Sequence, residues 1–418
     1  MKQVLLISPY FVPSLDIGAK RALNLVRYLR SFGWDPLILA SPCNDLNRDS
    51  CLEQLLPDNL YVCHKFGPSA RHSNPEIITK SINPLFKKLD EKGSYYTPFD
   101  QFLWYVPSAI SAGKRILNRN NIRAIMVNAD PWSGFIVANY LAKYADIPWV
   151  ADLRDPWSIH TFKMSMRPAI TRYLIDTFES AFFHSAAKVI LNTELCCQAY
   201  RNKYCTTLDA TRFTYIRNAF DPSIYRPVEI LPPTGKFSLH YFGSFRSYLD
   251  PEPLFKLTRQ FITKHGHKSE NMELVFYGKQ RSQDIELARK FGLAGYIRYQ
   301  DRVGLREMLL HLKSASVLLL VEGPNRRLQL PAKLYDYLAA KRPILALSDN
   351  PELNNIITET ASGVSANFFD PEDCMQQLEY LYFNSEKACK FKDIKINEYR
   401  VETQIERFSN ILNEVTMQ

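Results

Sequence analysis

The sequence has little that would anchor, crosslink or metallate a chain. No stretch of its 418 residues approaches the roughly 20 apolar residues of a spanning helix, which excludes a helical membrane span. The N-terminus, MKQVLLISPYFVP, has an apolar run broken by Pro9 and no small-residue cleavage site, so it reads as a first strand and not as a signal peptide. The eight cysteines include no CxxC pair, and no histidine cluster accompanies them at zinc-finger spacing. Adjacent Cys196 and Cys197 read as buried thiols, and the usage fits a reducing cytoplasm. The histidines, among them His64, His72, His160 and His184, form no HExxH motif and no triad order. There is no DNA- or RNA-binding motif, no short-period repeat and no low-complexity tract.

What is present is a folding composition, 46% hydrophobic and 23% charged, with 25 Phe and 23 Tyr. The length suits two to three domains at about 150 residues each. The net charge of +9 fits a solvated basic surface, an anionic membrane or an anionic substrate, with nucleic acid disfavoured. Short apolar runs alternate with helical patterns: Val4–Ile7, a helix over 20–32, Pro36–Ala40, then Ala124–Val127, Trp149–Ala151, Lys188–Leu191 and Phe213–Ile216. A Pro-rich stretch at 222–236 reads as a linker. A second alternating set starts at Phe237–Tyr241 and includes Glu273–Tyr277, Ile297–Tyr299, Ser316–Val321, Ile344–Leu347 and Gly363–Ala366. The pattern predicts an α/β protein of two Rossmann-like, doubly wound domains, 1–221 and 237–400, facing across a cleft, with an amphipathic terminal helix over 401–418 packing back on the first. One large α/β domain is the alternative.

Residues 316–347, SVLLLVEGPNRRLQLPAKLYDYLAAKRPILAL, are the most informative segment. They read as strand, cationic loop, helix opened by Pro331, strand. Such a loop brings cations and helix N-terminal amides together, which suits a phosphate, and Asp336 lies one turn in, where it can bond a ribose.

The order of several segments resembles retaining glycosyltransferases of the GT-B fold, in the broad group 4. They are SPYFVPSLDIGAKRALNLVRYLRSFGWDPLILA, IPWVADLRDPW, KVILNTE, IRNAFD, YFGSF, LVFYG and PAKLYDYLAAKRPILAL. The resemblance implies a UDP- or GDP-sugar donor held mainly by the second domain, with no other cofactor and no metal, since no DxD motif stands in a suitable setting. It places Gly243 and Ser244 in a small-residue turn with Arg246 as the nearest guanidinium, Gly278 and Val303 beside the base, and Lys333, Leu334 and Asp336 on the donor side. Members usually carry two acids eight positions apart. Asp336 stands at the second position, but Leu328 occupies the first, and Glu322 is off the spacing. Asp301 replaces a glycine often found just before Val303.

In the first half, Gly18 lets backbone approach a diphosphate or sugar, where the family often has two glycines. Lys20 and Arg21 follow, with surface solubility as their plain explanation. Asp152 and Asp155, in DLRDPW, are candidate catalytic carboxylates for an acceptor hydroxyl. A local pairing with Arg154 plus a helix cap at Asp155 explains them equally well. Asp130 and Trp132 are further acceptor-side candidates.

Residues 71–119 interleave Lys80, Lys87, Lys88 and Lys92 with Phe86, Tyr95, Tyr96, Phe99, Phe102, Trp104 and Tyr105. They suit an anionic membrane surface or a lipid-linked acceptor, or a helical insertion with a buried aromatic face. The reading is a cytoplasmic enzyme, peripheral on the inner membrane face, building surface polysaccharide or lipopolysaccharide. A nucleotide-sugar epimerase of the same fold and a non-catalytic sugar-nucleotide scaffold are the alternatives.

Overall fold

The computed structural model describes residues 1–14, 17–42, 50–67, 96–225, 236–245, 249–269, 271–384 and 389–417. The chain divides into two compact units, Met1–Asn218 with Val401–Gln418, and Ala219–Arg400.

Unit 1 is a seven-stranded parallel sheet: β1 (Lys2–Ile7), β2 (Trp34–Ala40), β3 (Tyr61–His64), β4 (Ile122–Ala129), β5 (Trp149–Leu153), β6 (Lys188–Leu191) and β7 (Phe213–Tyr215). The spatial order is β3-β2-β1-β4-β5-β6-β7. Leu5 of β1 faces Leu37 on one side and Ile125 on the other. Val4, Leu5, Leu6 and Ile7 are all fully buried, because helices cover both faces and the strand must be apolar at every position. The terminal helix Val401–Met417 lies on the helix Ile17–Tyr28. Its buried residues Val401, Ile405, Phe408, Leu412 and Val415 recur at helical spacing. Ser409 Oγ donates to Phe32 O at 3.2 Å, and Lys188 pairs with Glu414 at 2.8 Å.

Unit 2 is a six-stranded parallel sheet: β8 (Phe237–Phe242), β9 (Met272–Tyr277), β10 (Ile297–Gln300), β11 (Val317–Glu322), β12 (Ile344–Ser348) and β13 (Gly363–Ala366), ordered β10-β9-β8-β11-β12-β13. Alternate residues of β11 feed two cores. Val317, Leu319 and Val321 join Phe255, Phe261 and Phe276. Leu318 and Leu320 join Leu334, Tyr337 and Leu353. Period-two alternation with both faces apolar is the signature of a central parallel strand.

Each sheet reverses its strand order once, at β1/β4 in unit 1 and at β8/β11 in unit 2. In open α/β sheets, ligands bind beyond the carboxyl ends of the strands at such a reversal. The structure differs from the expected chain course in three places. The helix after β11 starts at Lys333, two residues past Pro331, whose carbonyl accepts from Leu334 N at 3.0 Å. Pro222–Tyr225, read as linker, is a helical turn with Tyr225 buried against unit 2; residues 226–235 lie outside the described part. Of the aromatic region, Lys80, Phe86, Lys87, Lys88, Lys92 and Tyr95 lie outside it too. Its described part folds as a short 3-10 turn (Gln101–Tyr105) and the helix Val106–Arg119, which packs on the helix Ser133–Ala145. Phe99 and Phe102 are buried, while Tyr96 and Trp104 stand 69% and 74% exposed.

Candidate functional site: two strand-order reversals

In unit 2, β8 and β9 both end in glycines with positive φ, Gly243 at 136° and Gly278 at 110°. These are backbone conformations that side chains oppose, which is why glycine stands at both ends. Gln280 ties the two turns together, its Nε2 donating to Gly278 O at 2.8 Å and Gly243 O at 3.1 Å. Gln280 Oε1 is buried and has no hydrogen-bond partner among the described residues. Ser244 reaches the same spot: a Cβ on Gly278 would lie 3.5 Å from its Oγ.

Lys333, the first residue of the helix Lys333–Ala340, comes over this turn. Its Nζ is 3.7 Å from the ring centre of Tyr241 and would be 3.6 Å from a Cβ on Gly243. Tyr241 is itself stacked on Phe245, with centroids 5.0 Å apart, so a fixed aromatic plate holds the ammonium in place. The helix has no side-chain cap at Ala332, so its positive dipole end stands at the reversal, with the Leu334 amide bonded to Pro331 O. The loop before it is pinned from β12: Asn350 Nδ2 donates to Gln329 O at 2.8 Å, while Asn350 Oδ1 caps the next helix. Small-residue turns, whose Gly243 and Gly278 amides bond Tyr277 O and Gln300 O, an ammonium and a helix dipole end meet at one point, an arrangement suited to an oxyanion.

Asp336 sits one turn into that helix and accepts from Tyr225 OH at 2.6 Å. Burial pushes the Tyr225 phenol well above its ordinary range, with Asp336 adding to the shift, so the phenol stays a donor. Glu322 ends the central strand β11, 5% exposed, with Arg326 Nε 3.5 Å from its carboxylate. It is the acid that the chain places at the reversal itself, although its spacing excluded it from the sequence reading. Leu334 serves the fold: its side chain is fully buried in the core and its amide bonds Pro331 O. Val303 lies half-buried after β10, the edge strand, two strands from the reversal. Arg246 lies outside the described residues.

In unit 1 the corresponding point is filled by the chain's own charges. Asp152, fully buried at the end of β5, is gripped by Arg21 through Nε at 2.8 Å and Nη2 at 2.6 Å, and Asn128 Nδ2 also donates to it. Arg21 goes on to Ile216 O at 3.0 Å and Asn218 Oδ1 at 3.2 Å, and lies over Phe408. Both oxygens of Asp152, a candidate for an acceptor hydroxyl, are thus bonded inside unit 1 by Arg21 and Asn128. Arg21, assigned to solubility from sequence, is the buried partner.

Arg154 pairs instead with Asp130, Nη2 to Oδ1 at 2.6 Å, and also bonds the Asp130 carbonyl. Its guanidinium lies directly over Gly18: a Cβ there would be 2.5 Å from Nη1. The glycine makes room for an arginine of the same unit. Lys163 Nζ is 3.6 Å from Asp130, which is 31% exposed, so this pair faces the surface. Asp155 is half-buried in the turn after β5. That turn is tied down by Glu179, fully buried, which accepts from Ser158 N, Tyr200 OH and Tyr204 OH, each at 2.9 Å. Trp157 stacks on Trp132 at 4.8 Å and 7°. Among the described residues no three His, Cys, Asp or Glu side chains gather to hold a metal ion.

No family model matches the chain, and no curated protein matches it by sequence. Solved structures do match over the whole length. Sucrose-phosphate synthase from Thermosynechococcus elongatus superposes with a TM-score of 0.71 at 14% identity, covering 100% of both chains. Anabaena HepE in complex with UDP and glucose gives 0.63 at 12% identity, covering 99% of this chain and 100% of that one. A UDP-N-acetylglucosamine 2-epimerase gives 0.57 at 12%, covering 100% and 97%. The chain has the GT-B fold. At such identities the likeness concerns architecture. No helix among the described residues is long and apolar enough to cross a membrane.

Proposed function

We propose that the protein is a retaining, metal-independent glycosyltransferase of the group 4 kind. It moves a hexosyl unit from a UDP- or GDP-sugar to a glycan or lipid-linked acceptor in surface polysaccharide or lipopolysaccharide synthesis. The observation that carries this reading is the cradle at the β8/β11 reversal, formed by the turns at Gly243 and Gly278, Lys333 held on Tyr241 and an uncapped helix start. In the reaction the anomeric C–O bond to the diphosphate breaks and a new bond forms to the acceptor oxygen. The acceptor's proton passes to the departing phosphate on the same face. Negative charge grows on the diphosphate, and the helix dipole end and the prepositioned ammonium stabilise it as it forms. Asp336 contacts the ribose and, with Tyr225, fixes the nucleoside. Asp155 and the Asp130–Arg154 pair orient the acceptor. Asp152 holds Arg21.

The protein acts at the cytoplasmic face of an anionic membrane in this reading. Support comes from unit 1, where Tyr96, Trp104, Ile170 and Tyr173 are each at least 64% exposed. Arg167 donates to Thr97 O and Arg172 is exposed nearby, so cations accompany the apolar side chains.

The epimerase reading is favoured by the likeness to a solved 2-epimerase and by Glu322, a buried acid at the reversal. The scaffold reading rests on Leu328. Incubation with a panel of UDP- and GDP-sugars, with and without chelator, separates them. Transferase activity releases nucleoside diphosphate in both buffers. An isomeric sugar nucleotide means epimerase; binding without turnover means scaffold.

A further inference from the structure

Unit 2 carries a pocket at the edge of its sheet opposite the Gly243 turn. Lys313 stands near the end of the helix that leads into β11, and Arg342 lies two residues before β12, so both mark amino ends of strands. The pocket encloses about 530 Å³, a volume within the range of roughly 300–1,000 Å³ typical of small-molecule sites. Its apolar wall is Phe220, Tyr225, Leu338, Ala340 and Ile396. Its charged wall is Lys313, Lys341, Arg342 and Arg400 against one acid, Asp393, which pairs with Lys341 at 2.7 Å.

Among the described residues the two arginines have no such compensation. Arg342 gives Nε to Lys313 O at 2.6 Å, and no carboxylate pairs with its guanidinium among the described residues. Burial disfavours its charged form, which a bound anion would offset. Arg400 Nε is buried and has no hydrogen-bond partner among the described residues. A buried donor left unbonded is costly, and an oxyanion at the mouth of the guanidinium removes the cost.

We propose that this pocket binds a small organic anion, one phosphate or carboxylate group on Arg342 and Arg400 with an aromatic or branched body on Phe220, Leu338 and Ile396. The apolar wall excludes a bare inorganic ion as the best ligand, and the two guanidiniums exclude a neutral one. The position also suits control. Tyr225, in the wall, is the side chain that holds Asp336. Phe220 N donates to Tyr399 O at 3.1 Å, joining the two segments beside which the chain passes from one unit to the other. Coupling to donor binding rests on the function proposed above; the binding itself does not.

Titration calorimetry on the full-length protein tests it with phenyl phosphate, benzoate and inorganic phosphate, using wild type, Arg400→Gln, Ala339→Phe and Lys333→Met. At least one aryl anion is expected to saturate a site in wild type and in Lys333→Met, more tightly than inorganic phosphate. Its affinity falls by about tenfold or more in Arg400→Gln and in the pocket-filling Ala339→Phe. The two aryl anions show whether phosphate or carboxylate is preferred. Ala339→Phe keeps the test open should Arg400→Gln fold poorly. No saturable aryl-anion binding in wild type, equal affinity in both pocket variants, or loss of binding in Lys333→Met overturns the proposal. The last outcome would assign the anion to the donor cradle.

Discussion

The two sheets reverse their strand order in the same way, yet glycine has opposite meanings at the two reversals. In unit 1, Gly18 is a glycine because the Arg154 guanidinium occupies the space of its Cβ. In unit 2, Gly243 and Gly278 are glycines because their φ angles are positive, and around them lie only ordinary contacts of 3.5 Å or more. Unit 1 fills its reversal with its own ion pairs, Arg21–Asp152 and Arg154–Asp130. Unit 2 presents a helix start and Lys333 on an aromatic plate. The same topology thus gives a centre of ion pairs in one unit and, in the other, the proposed cradle for a ligand's charge. Topology locates a reversal; the residues decide whether it stays open.

The largest effect is expected from Arg21→Ala, which leaves Asp152 buried without its guanidinium. It should cost about 3–5 kcal/mol in chemical denaturation, with part of the loss recovered in the Arg21→Met, Asp152→Asn double variant. A cost below about 0.5 kcal/mol would mean that the pair holds nothing, and that unit 1 is as open as unit 2.

Acid should separate the units next. His240 is buried in β8, and burial pushes its imidazole down to about 3. A histidine held neutral in the fold contributes stability above its unfolded value near 6.5, lost as pH falls from there towards 3, about 2 kcal/mol by pH 5. Burial raises the Asp100 carboxyl of unit 1, so that group works with the opposite sign and favours the fold as pH falls. Scanning calorimetry should show the unit 2 transition moving down with acid more than that of unit 1, and His240→Gln should flatten the difference. Parallel movement of both transitions would break this contrast.

Gly18→Ala should destabilise by about 1–3 kcal/mol through its clash with Arg154, and less in an Arg154→Ala background, as a double-mutant cycle measures. An undiminished cost in that background would show that backbone conformation, as in unit 2, sets Gly18. The smallest effect concerns Tyr225→Phe. Losing one hydrogen bond to Asp336 should weaken UDP binding by about 1 kcal/mol, roughly fivefold; unchanged affinity would detach Asp336 from the nucleoside.

Much of the fold was legible because parallel strands covered on both faces must be short, continuous apolar runs. Val4–Ile7 and Ile344–Leu347 were readable for that reason, and Pro36 did not hide β2. The edge strand Tyr61–His64 gave no such signal, since its four residues are only half-buried or exposed. The turn at the unit 2 reversal was readable locally, because Gly243, Ser244 and Lys333 stand in short motifs. The ion pairs of unit 1 were not. Arg21 and Asp152 are 131 residues apart, and no local pattern distinguishes a buried arginine at a helix start from a soluble one. DLRDPW showed an acid beside an arginine, but the fold pairs that acid with Arg21 and that arginine with Asp130. Tyr225 was missed because its Pro-rich surroundings read as linker.

Lys333 is the residue on which the proposed diphosphate cradle is most directly tested. Titration calorimetry of wild type and Lys333→Met with UDP and with GDP, in chelator, should show saturable binding of one nucleotide to wild type. The variant should bind about ten- to a hundredfold more weakly, with an unchanged melting temperature in the absence of ligand. No binding of either nucleotide, or equal affinity in the two proteins, would contradict a diphosphate cradle at the β8/β11 reversal.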